Sequence, residues 1–271
     1  MIGQKRLLNV INNYTIKTFP KTLLLIGEKG CGKHTLANYI STEVLKIPTI
    51  DITDILSDVT FDEIYRKAVP NIYLVDLNKC TEVQQNILLK ITEEPPSNSF
   101  LILFAESANN LLNTLLNRCV RLSFDKYSAE ELRSFADDSI TAEYDMLITE
   151  VLRTPGRVIY TDFSTLVRMM NECKRLIEDM PHMSFYEAIA TSNKVNFKDQ
   201  YDKFDFDIFL NLLEYLLYNR VLQYADIKAS VMYNTLKKRK KYLIDARINR
   251  GLFFEGLMID LWKDTRWTSK N

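Results

Sequence analysis

The sequence predicts an α/β domain built on a parallel sheet, followed by an all-α remainder. Three observations carry this. Over the first ~120 residues, short apolar runs alternate with helical patterns, as in a sheet connected by crossover helices. A glycine-rich loop follows the first of those runs directly. After Phe124 the strand pattern stops, and apolar residues recur with the helical period to the end of the chain. At 271 residues the chain has room for about two domains and a sizeable core.

The elements follow in order. Thr22-Leu23-Leu24-Leu25-Ile26 reads as a buried strand leading into the glycine loop. Leu36, Ile40 and Val44, spaced by four, put an apolar stripe on the helix after it. Ile72-Tyr73-Leu74-Val75 is a second strand. Val83, Ile87 and Ile91 mark a helix that Pro95-Pro96 stops, because proline has no N–H to donate. Phe100 to Phe104 is a third strand, Leu111 to Leu116 a short helix, and Val120 to Phe124 a fourth strand. Ser128 with Glu131 three residues later forms a capping-box pattern at the next helix start. Thr154-Pro155-Gly156 breaks the helical pattern, and a new helix begins near Arg157. Leu166 to Ile177, Phe206 to Leu222 and Leu252 to Trp262 carry the remaining helical periods.

Composition narrows the function classes. Hydrophobic residues are 46% and charged residues 26%, the balance of a globular chain. Formal net charge is zero, so nucleic-acid binding has to come from local patches or partners. Cys31, Cys80, Cys119 and Cys173 are scattered singly, with no C-x-x-C pair, which excludes a zinc module or redox dithiol of ordinary spacing. Free thiols fit a reducing compartment, and the N-terminus lacks the apolar stretch of a secretory signal, so a cytoplasmic location is expected.

The chemistry concentrates in three places. Gly27-Glu28-Lys29-Gly30-Cys31-Gly32-Lys33 between a strand and a helix has the form of a phosphate-cradling loop. Its glycines let backbone N–H groups turn toward phosphate oxygens, and Lys33 adds a point charge at a helix N-terminus. The next residue is His34, where Mg²⁺ chemistry wants a hydroxyl, and Thr35 lies about 100° further round the helix. Nucleotide binding with weakened Mg²⁺ coordination is expected. Asp76 closes the second strand but is followed by Leu77, Asn78 and Lys79, none able to orient an attacking water as a carboxylate does. Asp76 can sit beside a metal or cap a helix; its position allows both. Arg118 in Asn117-Arg118-Cys119 follows a helix, and an arginine there can reach a neighbour's γ-phosphate or simply be solvated. The run Lys237-Lys238-Arg239-Lys240-Lys241 is a phosphate-binding patch or a solvated helix face.

Taken together, these segments resemble the AAA+ clamp-loader subunits of bacterial DNA polymerase III. The resemblance rests on Ile2-Gly3-Gln4, the glycine loop, and Asn86-Ile87-Leu88-Leu89-Lys90-Ile91-Thr92-Glu93-Glu94-Pro95-Pro96. Asn117-Arg118-Cys119, Thr154-Pro155-Gly156-Arg157 and Asn249 to Met258 complete it. It implies a Rossmann-like AAA+ core over 1–124, a helical lid over 125–163 and a helical collar for oligomerisation over 164–271. Within the family, a lost Walker B glutamate beside a kept arginine is most like the delta-prime subunit. That implies a hydrolysis-incompetent member of a DNA-replication complex with motor-type and clamp-opening subunits, a sliding clamp and primer–template DNA as partners. Arg118 is then an arginine finger acting in trans. Gly27, Gly30, Cys31, Gly32, Lys33, His34, Thr35 and Asp76 form a pocket holding ATP or ADP without efficient hydrolysis, and Arg157 is its sensor-2 arginine. The interval between loop and Walker B strand lacks the four-cysteine module common in relatives, so no zinc is expected, and Phe104-Ala105-Glu106 lacks the family's sensor-1 threonines. An active AAA+ ATPase, of motor or helicase-loader type, is the alternative from the enzyme class. A DNA-binding module built on the basic run is the other.

Overall fold

Five parallel strands form one sheet in the order β2–β3–β4–β1–β5. They are β1 Thr22–Ile26, β2 Thr49–Asp51, β3 Ile72–Asp76, β4 Phe100–Ala105 and β5 Val120–Ser123. The computed structural model describes residues 3–56, 64, 69–96, 99–109, 111–137, 144–195, 205–244 and 249–267. Ile2 of the N-terminal motif lies outside them.

The apolar runs of the three inner strands, β1, β3 and β4, form because both faces of the sheet are covered there. Alternate side chains enter separate cores: Leu23, Leu25, Ile72, Ile102 and Phe104 on one face, Leu24, Tyr73, Val75, Leu101 and Leu103 on the other. The first face packs on α1 (Lys5–Asn12) and α2 (Lys33–Tyr39) through Leu7, Ile11, Leu36 and Ala37. The second packs on α3 (Glu82–Glu93) and α4 (Asn113–Leu116) through Leu88, Ile91 and Leu115. Thr81 and Gln84 make a reciprocal capping box that starts α3. The Ser128 box forms as expected: Glu131 N donates to Ser128 Oγ at 3.2 Å and Ser128 N to Glu131 Oε2 at 2.8 Å.

Two departures have physical causes. The three-residue edge strand β2 was not expected, being too short for its period to register. The helix after the glycine loop continues past α2 as π-helical turns over Ile40–Leu45. Steps of four residues between Leu36, Ile40 and Val44 overshoot an α-helical turn by about 40° each, and wider turns absorb part of that drift.

The chain divides into two compact units, Met1–Glu131 with Thr154–Gly156, and Leu132–Arg153 with Arg157–Asn271. The second unit is helical among its described residues. α5 (Ala129–Arg133) and α7 (Pro155–Tyr160) each begin in the first unit and end in the second; α6 (Asp145–Leu147) and the long helices α8 Phe163–Asp179, α9 Phe185–Lys194, α10 Phe206–Tyr224, α11 Ile227–Lys240 and α12 Arg250–Trp267 belong to the second. Asp162, Ser184, Asp205 and Asp226 cap α8 to α11 by accepting backbone N–H groups. Edge-to-face pairs Phe206–Phe253 and Phe209–Phe254 join α10 to α12. Phe206, Phe209 and Leu213 are buried, so the apolar face of α10 is core. No helix among the described residues is long and apolar enough to cross a membrane.

Candidate functional site

The loop after β1, Asp76 at the end of β3 and Glu106 after β4 lie at one edge of the sheet. Backbone bonds fix this: Gly27 N to Ala105 O at 3.0 Å, Leu77 N to Phe104 O at 2.9 Å, Phe124 N to Ile26 O at 2.8 Å. This is the carboxyl edge, where parallel sheets place their ligand crevices. Gly30 and Gly32 have φ of 82° and 100°, a left-handed backbone that a side chain would strain.

The loop's carbonyls are all engaged from within its own unit. Lys33 Nζ donates to Gly27 O at 2.5 Å and to Glu28 O at 3.1 Å, and the side chain is buried. Thr154 Oγ1 donates to Lys29 O at 2.8 Å, Gly156 N to Gly30 O at 2.9 Å, and Tyr127 OH to Cys31 O at 2.7 Å. Leu36 N closes on Gly32 O at 2.9 Å. Burial pushes the Tyr127 phenol up to about 12, so it keeps the proton it donates. Burial likewise raises the Cys31 thiol, which stays protonated beside Lys33. Gly156 lies so close to the loop that a Cβ there would stand 2.8 Å from Gly30 Cα. Gly156→Ala must therefore shift backbone, and a loss of about 1–3 kcal/mol is expected, read as a lower Tm in thermal unfolding.

The metal side of the pocket has a different donor set from the one Mg²⁺ requires. The His34 ring leans on Phe104 with centroids 4.3 Å apart, and Thr35 is exposed on α2. Asp76 Oδ1 accepts from Asn78 N at 3.1 Å and Asn78 Nδ2 at 2.6 Å, which makes it the first residue of a side-chain-stabilised turn. The helix-cap reading of Asp76 is therefore replaced by a turn cap. Asn78 Oδ1 in turn accepts Glu106 N at 2.9 Å, stapling the ends of β3 and β4. A hard cation prefers a hydroxyl to the imidazole that His34 offers, and Asp76 Oδ1 already accepts from Asn78. Among the described residues, no group of three His, Cys, Asp or Glu could hold a metal ion.

Arg118 lies two residues beyond α4. Its NH1 donates to Thr114 O at 2.9 Å and its NH2 to Glu93 Oε1 at 2.6 Å, with 34% of the side chain exposed. The guanidinium is thus oriented but accessible. Arg157 pairs with Asp207 within the second unit at 3.8 Å and is mostly buried. The basic run is partly spent on folding: Arg239 bonds Asp260 at 2.6 Å, and Lys240 bonds Glu214 and Asn211. Lys237, Lys238 and Lys241 are exposed. In the N-terminal motif, Gln4 donates to Asp125 O at 2.7 Å and accepts Asp125 N at 2.9 Å, clasping the start of the chain to the segment after β5.

Comparison with known proteins bears on this arrangement. Residues 46–128, from the approach to β2 through β5, match the family model of the DNA polymerase III delta subunit. The chain resembles a clamp-loader-type AAA+ subunit. A curated DNA polymerase III subunit delta′ from Buchnera aphidicola subsp. Baizongia pistaciae is 39% identical over 49 residues, which is 18% of this chain and 15% of that protein's length. A DNA polymerase III gamma-subunit-related protein of Thermotoga maritima superposes over 97% of this chain and 99% of its own, with a TM-score of 0.51 at 16% identity. A RuvB variant of Thermotoga maritima covers 82% of this chain and 76% of its own, with a TM-score of 0.50 at 16% identity. At those identities the structures bear on the fold alone, a Rossmann-like parallel-sheet core with helical regions.

Four groups escaped the sequence reading: Asn78, Tyr127, the Thr154 hydroxyl and Glu93. Asn78 two residues past a strand-end Asp is a turn signal that could have found it. Tyr127, Thr154 and Glu93 act across long sequence separations, which leave no local pattern.

Proposed function

We propose that this chain is a delta-prime-like clamp-loader subunit in DNA replication, which helps load the sliding clamp on primed DNA, leaves ATP unhydrolysed in its own pocket and lends Arg118 to a neighbouring ATPase subunit. One contrast carries the reading. Asn78 engages the chain's own Asp76 through Oδ1, whereas Arg118, held by Glu93 and Thr114, keeps 34% of its side chain in solvent. An oriented, accessible arginine suits a phosphate in trans.

The partners are the motor-type and clamp-opening subunits, the clamp, and primer–template DNA within the complex. Residues 125–163 act as the lid and 164–271 as the collar, with Arg157 as sensor 2. Gly27, Gly30, Cys31, Gly32, Lys33, His34, Thr35 and Asp76 retain ATP or ADP without efficient hydrolysis, and no zinc takes part. The matched delta′ segment and the shared AAA+ fold support the family context.

Two measurements test this. The purified chain is expected to show no ATP turnover, and turnover near ~1 s⁻¹ would contradict the proposal. Affinity for ATP is expected to be the same with and without Mg²⁺, since His34 supplies no hard ligand; a strong Mg²⁺ dependence would count against the pocket assignment.

A further inference from the structure

Glu93 sits in the last turn of α3, where the helix dipole disfavours a carboxylate. Local helix stability does not explain an acid there. Its observed partner does: Glu93 Oε1 accepts Arg118 NH2 at 2.6 Å, across 25 residues of sequence, while Thr114 O accepts NH1. The two acceptors lie on different elements, so together they fix the plane of the guanidinium as well as its position. Both side chains remain accessible, at 34% for Arg118 and 51% for Glu93. An exposed pair of this kind contributes little to folding, so its removal leaves the fold standing.

We infer that Glu93 is a positioning residue for Arg118, holding the guanidinium in one orientation in which its remaining N–H groups can meet a neighbouring subunit's phosphate. The inference rests on the proposed in-trans role of Arg118. An unrestrained arginine samples many rotamers, and presenting it to a phosphate costs the entropy of freezing them. Glu93 and the Thr114 carbonyl meet that cost before the partner arrives, which preorganises the charge.

The test uses the complex reconstituted with the ATPase subunits of the same genome, comparing Glu93→Ala, Glu93→Gln and Arg118→Ala. Glu93→Ala is expected to lower kcat for DNA-stimulated ATP hydrolysis roughly ten-fold, within the range for a displaced catalytic group, with the KM for ATP changed less than about two-fold. Glu93→Gln keeps an oxygen able to accept from Arg118 and is expected to restore kcat to within about three-fold. Assembly, read by size-exclusion chromatography, should be equal for all three. If Glu93→Ala keeps the normal kcat, if both Glu93 variants fall equally, or if the loss tracks poor assembly, the positioning role is wrong while the finger stands. If Arg118→Ala itself changes nothing, the finger reading fails and the role of Glu93 fails with it.

Discussion

On the proposed in-trans role, Arg118→Ala is expected to slow ATP turnover by about 10³–10⁵-fold at a neighbouring ATPase site, equivalent to about 4–7 kcal/mol of transition-state stabilisation. The chain itself should fold and assemble normally, because the residue gives up only an accessible ion pair and one bond to a backbone carbonyl. Arg118→Lys is expected to remain defective, since a single ammonium cannot keep the fork that holds Glu93 and Thr114 and also reach a phosphate in trans as proposed. Single-turnover hydrolysis by the reconstituted complex, with assembly measured in parallel, separates the chemical loss from a structural one. Partner sites that do not face this chain should be unaffected, so the residual rate of the whole complex reports how many sites Arg118 serves.

Phe104→Ala is expected to destabilise the first unit by about 3–5 kcal/mol. Phe104 is fully buried in the sheet core that α1 and α2 cover, and it carries the His34 ring on its surface. Truncation removes that core volume and the support under His34 together. Denaturant unfolding should show a lower midpoint with little change in slope. A replacement that keeps volume, Phe104→Leu, should recover much of the loss.

These two residues also show what the sequence made legible. Phe104 lies in an unbroken apolar run, as do most of β1 and most of β3, whereas β5 is a mixed edge strand and the three residues of β2 carry too little pattern. The glycine loop was legible because Gly30 and Gly32 need left-handed backbone and sit between strand and helix. Arg118 was legible as a candidate through its motif, but its fixed orientation was not, since Glu93 and Thr114 come from separate helices. The basic run shows the same limit. Lys237 to Lys241 is one uninterrupted patch in sequence, yet Arg239 and Lys240 are neutralised by Asp260 and Glu214, each more than twenty residues away. Pairing across such separations depends on which helix faces align, and no local spacing encodes it. The loop's engagement by Thr154, Gly156 and Tyr127 was hidden for the same reason.

The most direct test is a structure of the assembled complex with a non-hydrolysable ATP analogue in the adjoining subunit. The account predicts the Arg118 guanidinium within about 3 Å of a γ-phosphate oxygen of that nucleotide, within hydrogen-bonding distance. An Arg118 that faces its own subunit in the complex, with a different group of the neighbour's partner at the phosphate, would contradict it.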